Sequence, residues 1–215
     1  MLFRKSLKEK LFDRTSLTFL VFMLFYFIQG ICSLLLNNFA PPLDIFAATA
    51  VISLFFILHL FVKFKIVVPL MLGIGLFPNI IGLYRIIPYN ENYIGTLYGW
   101  AGFNYQYDLF VHAFAIFCFS IAFCSIFYPY FMSGFKSKFL MFVIVLFFVI
   151  GVGGFNEVVE YVGYDTMGYG EGFLEYGQGD YTPNSGPWQD ACTDLIANIF
   201  GGIIGIGGFL LVKKD

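Results

Sequence analysis

Charge is what this chain has least of. Only 12% of its residues are Asp, Glu, Lys or Arg, against about 25% in ordinary soluble domains. A soluble fold of 215 residues could not cover its surface with so few. The net charge of −2 and the lack of any basic stripe with interleaved aromatics exclude a nucleic-acid-binding surface. The four cysteines show no CxxC spacing, so a zinc ribbon or a thioredoxin-type redox motif has no basis. Cys32, Cys118, Cys124 and Cys192 read as small buried hydrophobes, with a Cys32–Cys192 disulfide as the alternative. HExxH, DxDxDG and GxSxG are absent as well, which leaves zincin, EF-hand and serine-hydrolase chemistry without a motif. There is no internal repeat, no low-complexity tract and no sign of a second domain.

Long apolar runs fill the space instead. Apolar residues make up 59%, compared with roughly 45–50% in soluble domains, and the mean hydropathy is +0.80. A bilayer core needs about 20 mainly apolar residues per helix. Six such segments are present, at about 17–36, 43–62, 66–83, 107–129, 139–162 and 190–212. The expected fold is therefore an all-α, polytopic membrane helical bundle, forming one integral membrane domain over residues 1–215. The first run has a basic flank like that of a signal peptide, but no small-x-small site follows it, so it reads as a retained anchor. The third run carries Pro69 and Pro78 and is expected to be kinked or broken.

Lys and Arg favour the cytoplasmic side of a membrane. With six crossings, Arg4, Lys5, Lys8, Lys10, Arg14, Lys63, Lys65, Lys136, Lys138, Lys213 and Lys214 fall on one side, and only Arg85 falls on the other. The predicted topology has both termini in the cytoplasm of a cell (inner or plasma) membrane. Acids gather at the opposite end, among them Asp44, Glu91, Asp108, Glu157, Glu160, Asp165, Glu171, Glu175, Asp180, Asp190 and Asp194. Tyrosines between 84 and 107 accompany them, as in an interfacial aromatic belt. Residues 84–106 have room for a short interfacial helix. Residues 163–189 form a long, acidic, glycine-rich outer loop, and loops of that length are functional or disordered.

Three helix ends stand out. The fourth run opens "YDLFVHAF", with Asp108 and His112 four apart. The fifth closes "NEVVEY", with Asn156 beside Glu157 and Glu160. The sixth opens "QDACTDLIAN", with Asp190, Asp194 and Asn198 at four-residue steps. Residues three or four apart share a helix face, so each helix carries one polar stripe. The alternating topology brings all three stripes to one membrane depth. Burying a charged side chain at the bilayer centre costs about 2.5–3.5 kcal/mol on insertion scales. Gathered acids must therefore be protonated, neutralised by a cation, or solvated in a cavity.

Carboxylates with one imidazole and amide oxygens suit a divalent cation: Mg, Mn, Ca or Zn. On that reading Asp108, His112, Glu157, Glu160, Asp190 and Asp194 are the metal ligands. Glu157, Glu160 and His112 would do any acid–base chemistry, and Asn156, Gln178 and Asn198 would orient ligands. A structural polar network and an ion or proton pathway are the alternatives. The pathway is the weakest, because the inner halves of these runs carry almost no ionisable residue. The glycine runs "GVGG" and "GGIIGIGG" follow no strand and read as helix-packing positions.

These segments, with "YGQGD" between them, resemble in content and order the YjdF-like family of bacterial inner-membrane proteins. More distantly they are similar to VanZ-like proteins. Asp108 and His112; Glu157, Glu160 and Tyr161; Gln178, Gly179 and Asp180; and Asp190 and Asp194 carry the likeness, which spans roughly residues 105–208. The resemblance implies a small multi-spanning membrane protein of uncharacterised activity. The expected partners are membrane lipids and a lipid-linked or envelope-derived ligand. A non-enzymatic, VanZ-like envelope or glycopeptide-resistance factor is the alternative, and a small transporter or channel a further one.

Overall fold

The computed structural model describes residues 11–35, 42–84, 86, 107–167 and 187–213; the side chains of residues 42–44, 83, 163, 164, 166, 167, 187, 189 and 190 are outside that description. Six helices make up the described residues: α1 (Arg14–Leu35), α2 (Pro42–Phe61), α3 (Val67–Leu83), α4 (Tyr107–Gly134), α5 (Lys138–Met167) and α6 (Pro187–Val212). The protein is all-helical, as its composition requires: in hydrocarbon, only a helix or a closed barrel satisfies every backbone N–H and C=O internally. Four helices (α1, α4, α5 and α6) are long and apolar enough to cross a membrane, while α2 and α3 contribute shorter apolar stretches.

Helix limits follow local chemistry rather than hydropathy. The N-terminus of α1 is capped by Asp13, whose Oδ1 accepts the Ser16 N–H at 2.8 Å. Ser137 does the same for α5, accepting from the Leu140 N–H at 3.1 Å. Lys136 between them adopts a left-handed φ of 51°, which turns α4 sharply into α5. The expected break in the third run is absent. Pro69 lies in the first turn of α3, where a missing N–H costs little, and the helix continues through Pro78. Helix α5 runs five residues past the expected 162, to Met167, because polar residues can extend a helix beyond an apolar run; Gly168 follows directly. Pro187 opens α6 in the favoured first-turn position. The segment expected to hold an interfacial helix lies almost wholly outside the described residues.

Helices α1, α2 and α3 pack together, as do α4, α5 and α6, and the α3–α4 contact joins the two groups. Three buried tyrosine hydroxyls or near-buried ones stitch the seams. Tyr26 donates to the Gly73 carbonyl at 2.7 Å, Tyr84 to the Gln29 carbonyl at 3.1 Å, and Tyr107 to the Pro78 carbonyl at 2.8 Å. Phe123 on α4 packs at a tilt against Phe55 of α2 at 5.8 Å and edge-on against Phe148 of α5 at 4.7 Å. Helix α4 is thus the central helix and presents apolar side chains on most of its circumference.

The α4–α6 seam is a close one. A Cβ on Gly201 would overlap the Ala113 carbonyl, and one on Gly205 would lie 2.5 Å from the Phe117 carbonyl oxygen and 2.9 Å from Ser120 Cβ. Backbone therefore approaches backbone, as small-xxx-small patterns allow between membrane helices. Gly207 and Gly208 meet open space, so only part of the "GGIIGIGG" run serves packing.

All four cysteines are free: Cys118 and Cys124 are buried, and Cys32 and Cys192 half-buried. The alternative of a Cys32–Cys192 disulfide fails because α1 and α6 do not touch. His59, near the end of α2, is buried. Its Nδ1 accepts the Phe64 N–H at 2.9 Å, and its Nε2 lies 3.5 Å from Asp13 Oδ1.

Contacts also fix which ends belong together. Lys138 Nζ donates to the Lys213 carbonyl at 3.2 Å, so the start of α5 and the end of α6 meet. Asp13 meets His59, so the start of α1 and the end of α2 meet. With Tyr107 on Pro78, the described basic residues Arg14, Lys63, Lys65, Lys136, Lys138 and Lys213 lie at one end of the bundle. The starts of α4 and α6 and the end of α5 lie at the other.

Candidate functional site

Each polar side chain at that second end is aimed by the periodicity that packs its helix. Along α5 the buried stripe runs Met141, Val145, Val149, Gly153, Glu157, one residue every four. Glu157 extends the core-facing stripe by one step, so the register that buries three apolar side chains also buries this carboxylate. On α6 the inward face is Asp194, Asn198, Gly201, Gly205. Burial on α4 covers Asp108 and Val111, with His112 on the adjoining edge. Three helices therefore deliver polar groups to one place without giving up apolar packing below it.

His112 is the centre of the arrangement. Its Nε2 lies 3.5 Å from Asp108 Oδ1, and its Nδ1 lies 3.5 Å from Glu157 Oε1; the ring is 11% exposed. Two groups form around it. Asp108, His112 and Asp194 can each offer one ligand atom with all three atoms within 4.8 Å of one another, and so can His112, Glu157 and Glu160. Asn156 Nδ2 donates to Glu160 Oε1 at 2.6 Å. Asn198 is fully buried beside the His112 ring. Neither its Oδ1 nor its Nδ2 has a hydrogen-bond partner of ordinary geometry among the described residues. Gly153 makes its position possible, since a Cβ there would overlap the Asn198 amide.

The spacing leaves room for an ion beside the His112 ring. Charge-assisted N–H···O contacts are about 2.7–2.9 Å long, shorter than the two 3.5 Å contacts of His112. Donors about 2.1 Å from a shared cation stand roughly 3.0–3.4 Å apart in octahedral or tetrahedral geometry. The donor set of carboxylates, one imidazole and an amide oxygen matches a borderline-hard divalent ion. Asp190 lies in the first turn of α6, but its side chain is outside the described residues, as are Gln178 and most of the outer loop. Of the nine residues singled out from the sequence, the structure brings together Asp108, His112, Asn156, Glu157, Glu160, Asp194 and Asn198.

A protein-family model described as "Predicted membrane protein (DUF2238)" matches residues 15–215. The chain belongs to that family. The match agrees with the YjdF-like resemblance and extends it across α1–α3, which the sequence motifs did not reach. It carries no information on the VanZ-like likeness. No curated protein and no solved structure is similar enough to match. The family description fixes a membrane protein and leaves its activity open, so any function has to be argued from the residues themselves.

Three features escaped the sequence. The Asp13–His59 contact joins residues 46 positions apart and has no local signature. Gly153 reads in the sequence as one glycine of a packing run; its particular use, as the floor under Asn198, depends on a residue from another helix. Ser120 Oγ, buried against Gly205 without a hydrogen-bond partner among the described residues, likewise shows nothing in its local sequence.

Proposed function

We propose that the cluster around His112 is a divalent-cation site at the outer face of the membrane, and that it binds or acts on a lipid-linked or envelope-derived ligand. The observation that carries this reading is the fully buried Asn198 amide. Its polar atoms have no hydrogen-bond partner of ordinary geometry among the described residues, and it stands beside an imidazole flanked on both nitrogens by carboxylates from different helices. Leaving a buried amide unsatisfied costs about 1–3 kcal/mol. A ligand or ion that the amide oxygen coordinates removes that cost, and neutralises the gathered acids at the same time.

Outward orientation is supported by the grouping of the described Lys and Arg residues at the opposite end of the bundle. Depth supports a membrane-borne ligand. Asp108 is one residue into α4, Asp194 seven residues into α6 and Glu157 ten residues from the end of α5, so the cluster lies within about three turns of the helix ends, in the outer part of the bundle. A bound cation there would attract an anionic headgroup and polarise a phosphoryl or carbonyl oxygen. A through-pathway is disfavoured by the α4–α6 contact at Gly201 and Gly205, which brings backbone against backbone directly beneath the cluster.

The test is metal content and ligand retention in purified, detergent-solubilised protein. Wild type is expected to bind one of Mg²⁺, Mn²⁺, Ca²⁺ or Zn²⁺ stoichiometrically, and His112→Ala, which removes the residue common to both groups, is expected to lose it with the helical fold intact. Native mass spectrometry against a total envelope lipid extract should show an adduct that EDTA removes. Equal metal content in wild type and His112→Ala would end this reading.

A further inference from the structure

The two nitrogens of His112 face different carboxylates, and one imidazole cannot serve both groups in the same way. When one ring nitrogen coordinates a metal, the other carries a proton and donates it to an outer carboxylate or carbonyl, which fixes the ring. We infer that the cluster divides accordingly. Asp108, Asp194, His112 Nε2 and Asn198 Oδ1 form the cation seat, and Glu157 is a positioning residue that accepts from Nδ1–H without touching the ion. This partition rests on the proposed cation-binding reading and refines it.

Several observations favour the Nε2 side. Asp108 and Asp194 are 4% and 1% exposed, and Asn198 is 0% exposed. All three lie deeper than Glu160, which remains partly exposed. Asn198 follows Asp194 by one helical turn on the same face, and its buried amide, without a hydrogen-bond partner of ordinary geometry among the described residues, stands beside the His112 ring. On the Nδ1 side two contacts are seen. Glu160 accepts the Asn156 amide at 2.6 Å, and Glu157 Oε1 stands opposite Nδ1, where a ring proton would be held.

The same donor set narrows the ion. Two monodentate carboxylates, one imidazole and one amide oxygen make four ligands and leave positions open in an octahedral shell. Mg²⁺ prefers oxygen and keeps its waters, and Ca²⁺ takes 6–8 oxygens. Imidazole with carboxylates suits Mn²⁺ among the ions that also favour oxygen.

Mn²⁺ is also the probe for the test. The full chain in detergent is titrated with Mn²⁺ and followed by electron paramagnetic resonance, with pulsed measurements reading the modulation from a directly coordinated ¹⁴N. Wild type is expected to take one Mn²⁺ with a ¹⁴N signature. Asp194→Asn is expected to weaken binding by more than a hundredfold. Glu157→Gln is expected to keep the single ion and its ¹⁴N signature, with affinity lowered about 10–100-fold, the usual effect of removing an outer-shell partner. Because Asp194→Asn risks misfolding, Asn198→Leu is measured beside it. That variant keeps size and removes the amide, and it should fold while losing at least about tenfold in affinity.

Three results would overturn the partition. One is loss of Mn²⁺ in Glu157→Gln or Glu160→Gln with normal binding in Asp194→Asn, which is the reversed assignment. The second is unchanged affinity in folded Asn198→Leu. The third is two ions per chain. Failure of folded wild type to bind any divalent cation would instead remove the broader proposal, and this one with it.

Discussion

The α4–α6 seam makes a prediction that can be worked from distances. Gly205→Ala places a methyl 2.5 Å from the Phe117 carbonyl oxygen and 2.9 Å from Ser120 Cβ, where ordinary contact begins at 3.4 Å. The helices must part locally by about 0.9 Å, since a carbonyl held in a helix cannot swing away as a side chain can. Overpacking of this kind costs about 1–3 kcal/mol. Alanine recovers up to about 1 kcal/mol through its helix propensity, so the net loss is about 1–2 kcal/mol. For a chain of this length that lowers Tm by about 2–8 °C. Gly201→Ala, whose methyl would overlap the Ala113 carbonyl, should lose at least as much. Gly207→Ala and Gly208→Ala meet open space and should be neutral or slightly stabilising. Thermal unfolding of the four variants in one detergent, followed by circular dichroism, reads all of this. If Gly205→Ala melts at or above wild type, or if Gly207→Ala loses as much as Gly205→Ala, the seam is not packed as described.

The remaining predictions concern polar groups. Asn198→Leu should raise the Tm of metal-free protein, because it removes a buried amide without hydrogen bonds, at a cost of about 1–3 kcal/mol when present; calorimetry with and without Mn²⁺ separates this gain from the loss of binding. Tyr107→Phe should cost about 1 kcal/mol by releasing the Pro78 carbonyl, and it should also weaken Mn²⁺ binding because Asp108 is the next residue. Asp13→Ala removes the α1 cap and the His59 contact and should destabilise by about 0.5–2 kcal/mol. Burial alone would raise the Asp13 carboxyl, but the Ser16 N–H and His59 outweigh it and hold the group below the usual carboxylate range. Its stabilising contribution is therefore present above the unfolded value of about 3.9 and is lost as pH falls through the lower folded value. Asp13→Asn should flatten the acid limb of a stability–pH curve below about pH 4, and an unchanged limb would contradict the contact.

Much of the bundle could be read from hydropathy, because a membrane helix must be both long and apolar and few other segments are. The stripes at Asp108 and His112, and at Asp194 and Asn198, were legible for a related reason: in a run this apolar, polar residues four apart mark one face. Glu157 was visible as the point where an apolar run meets polar sequence. Helix ends were less legible. Hydropathy stops at residue 162 while α5 continues to Met167, because backbone hydrogen bonding carries a helix past the end of an apolar run. Partners across helices were not legible at all. Nothing local distinguishes Gly205, locked against α4, from Gly207 two residues later, and nothing near His59 names Asp13. Those assignments depend on which face meets a neighbour, and one sequence carries no record of that.

The central position of α4 has a consequence for biogenesis. Asp108 and His112 enter the bilayer with α4, but Asp194 and Asn198 are translated more than 80 residues later. At roughly 5–20 residues per second, the half-built pocket waits several seconds for its last wall. The groups meet only when the final helix docks, so on the proposed reading a cation would load after that step.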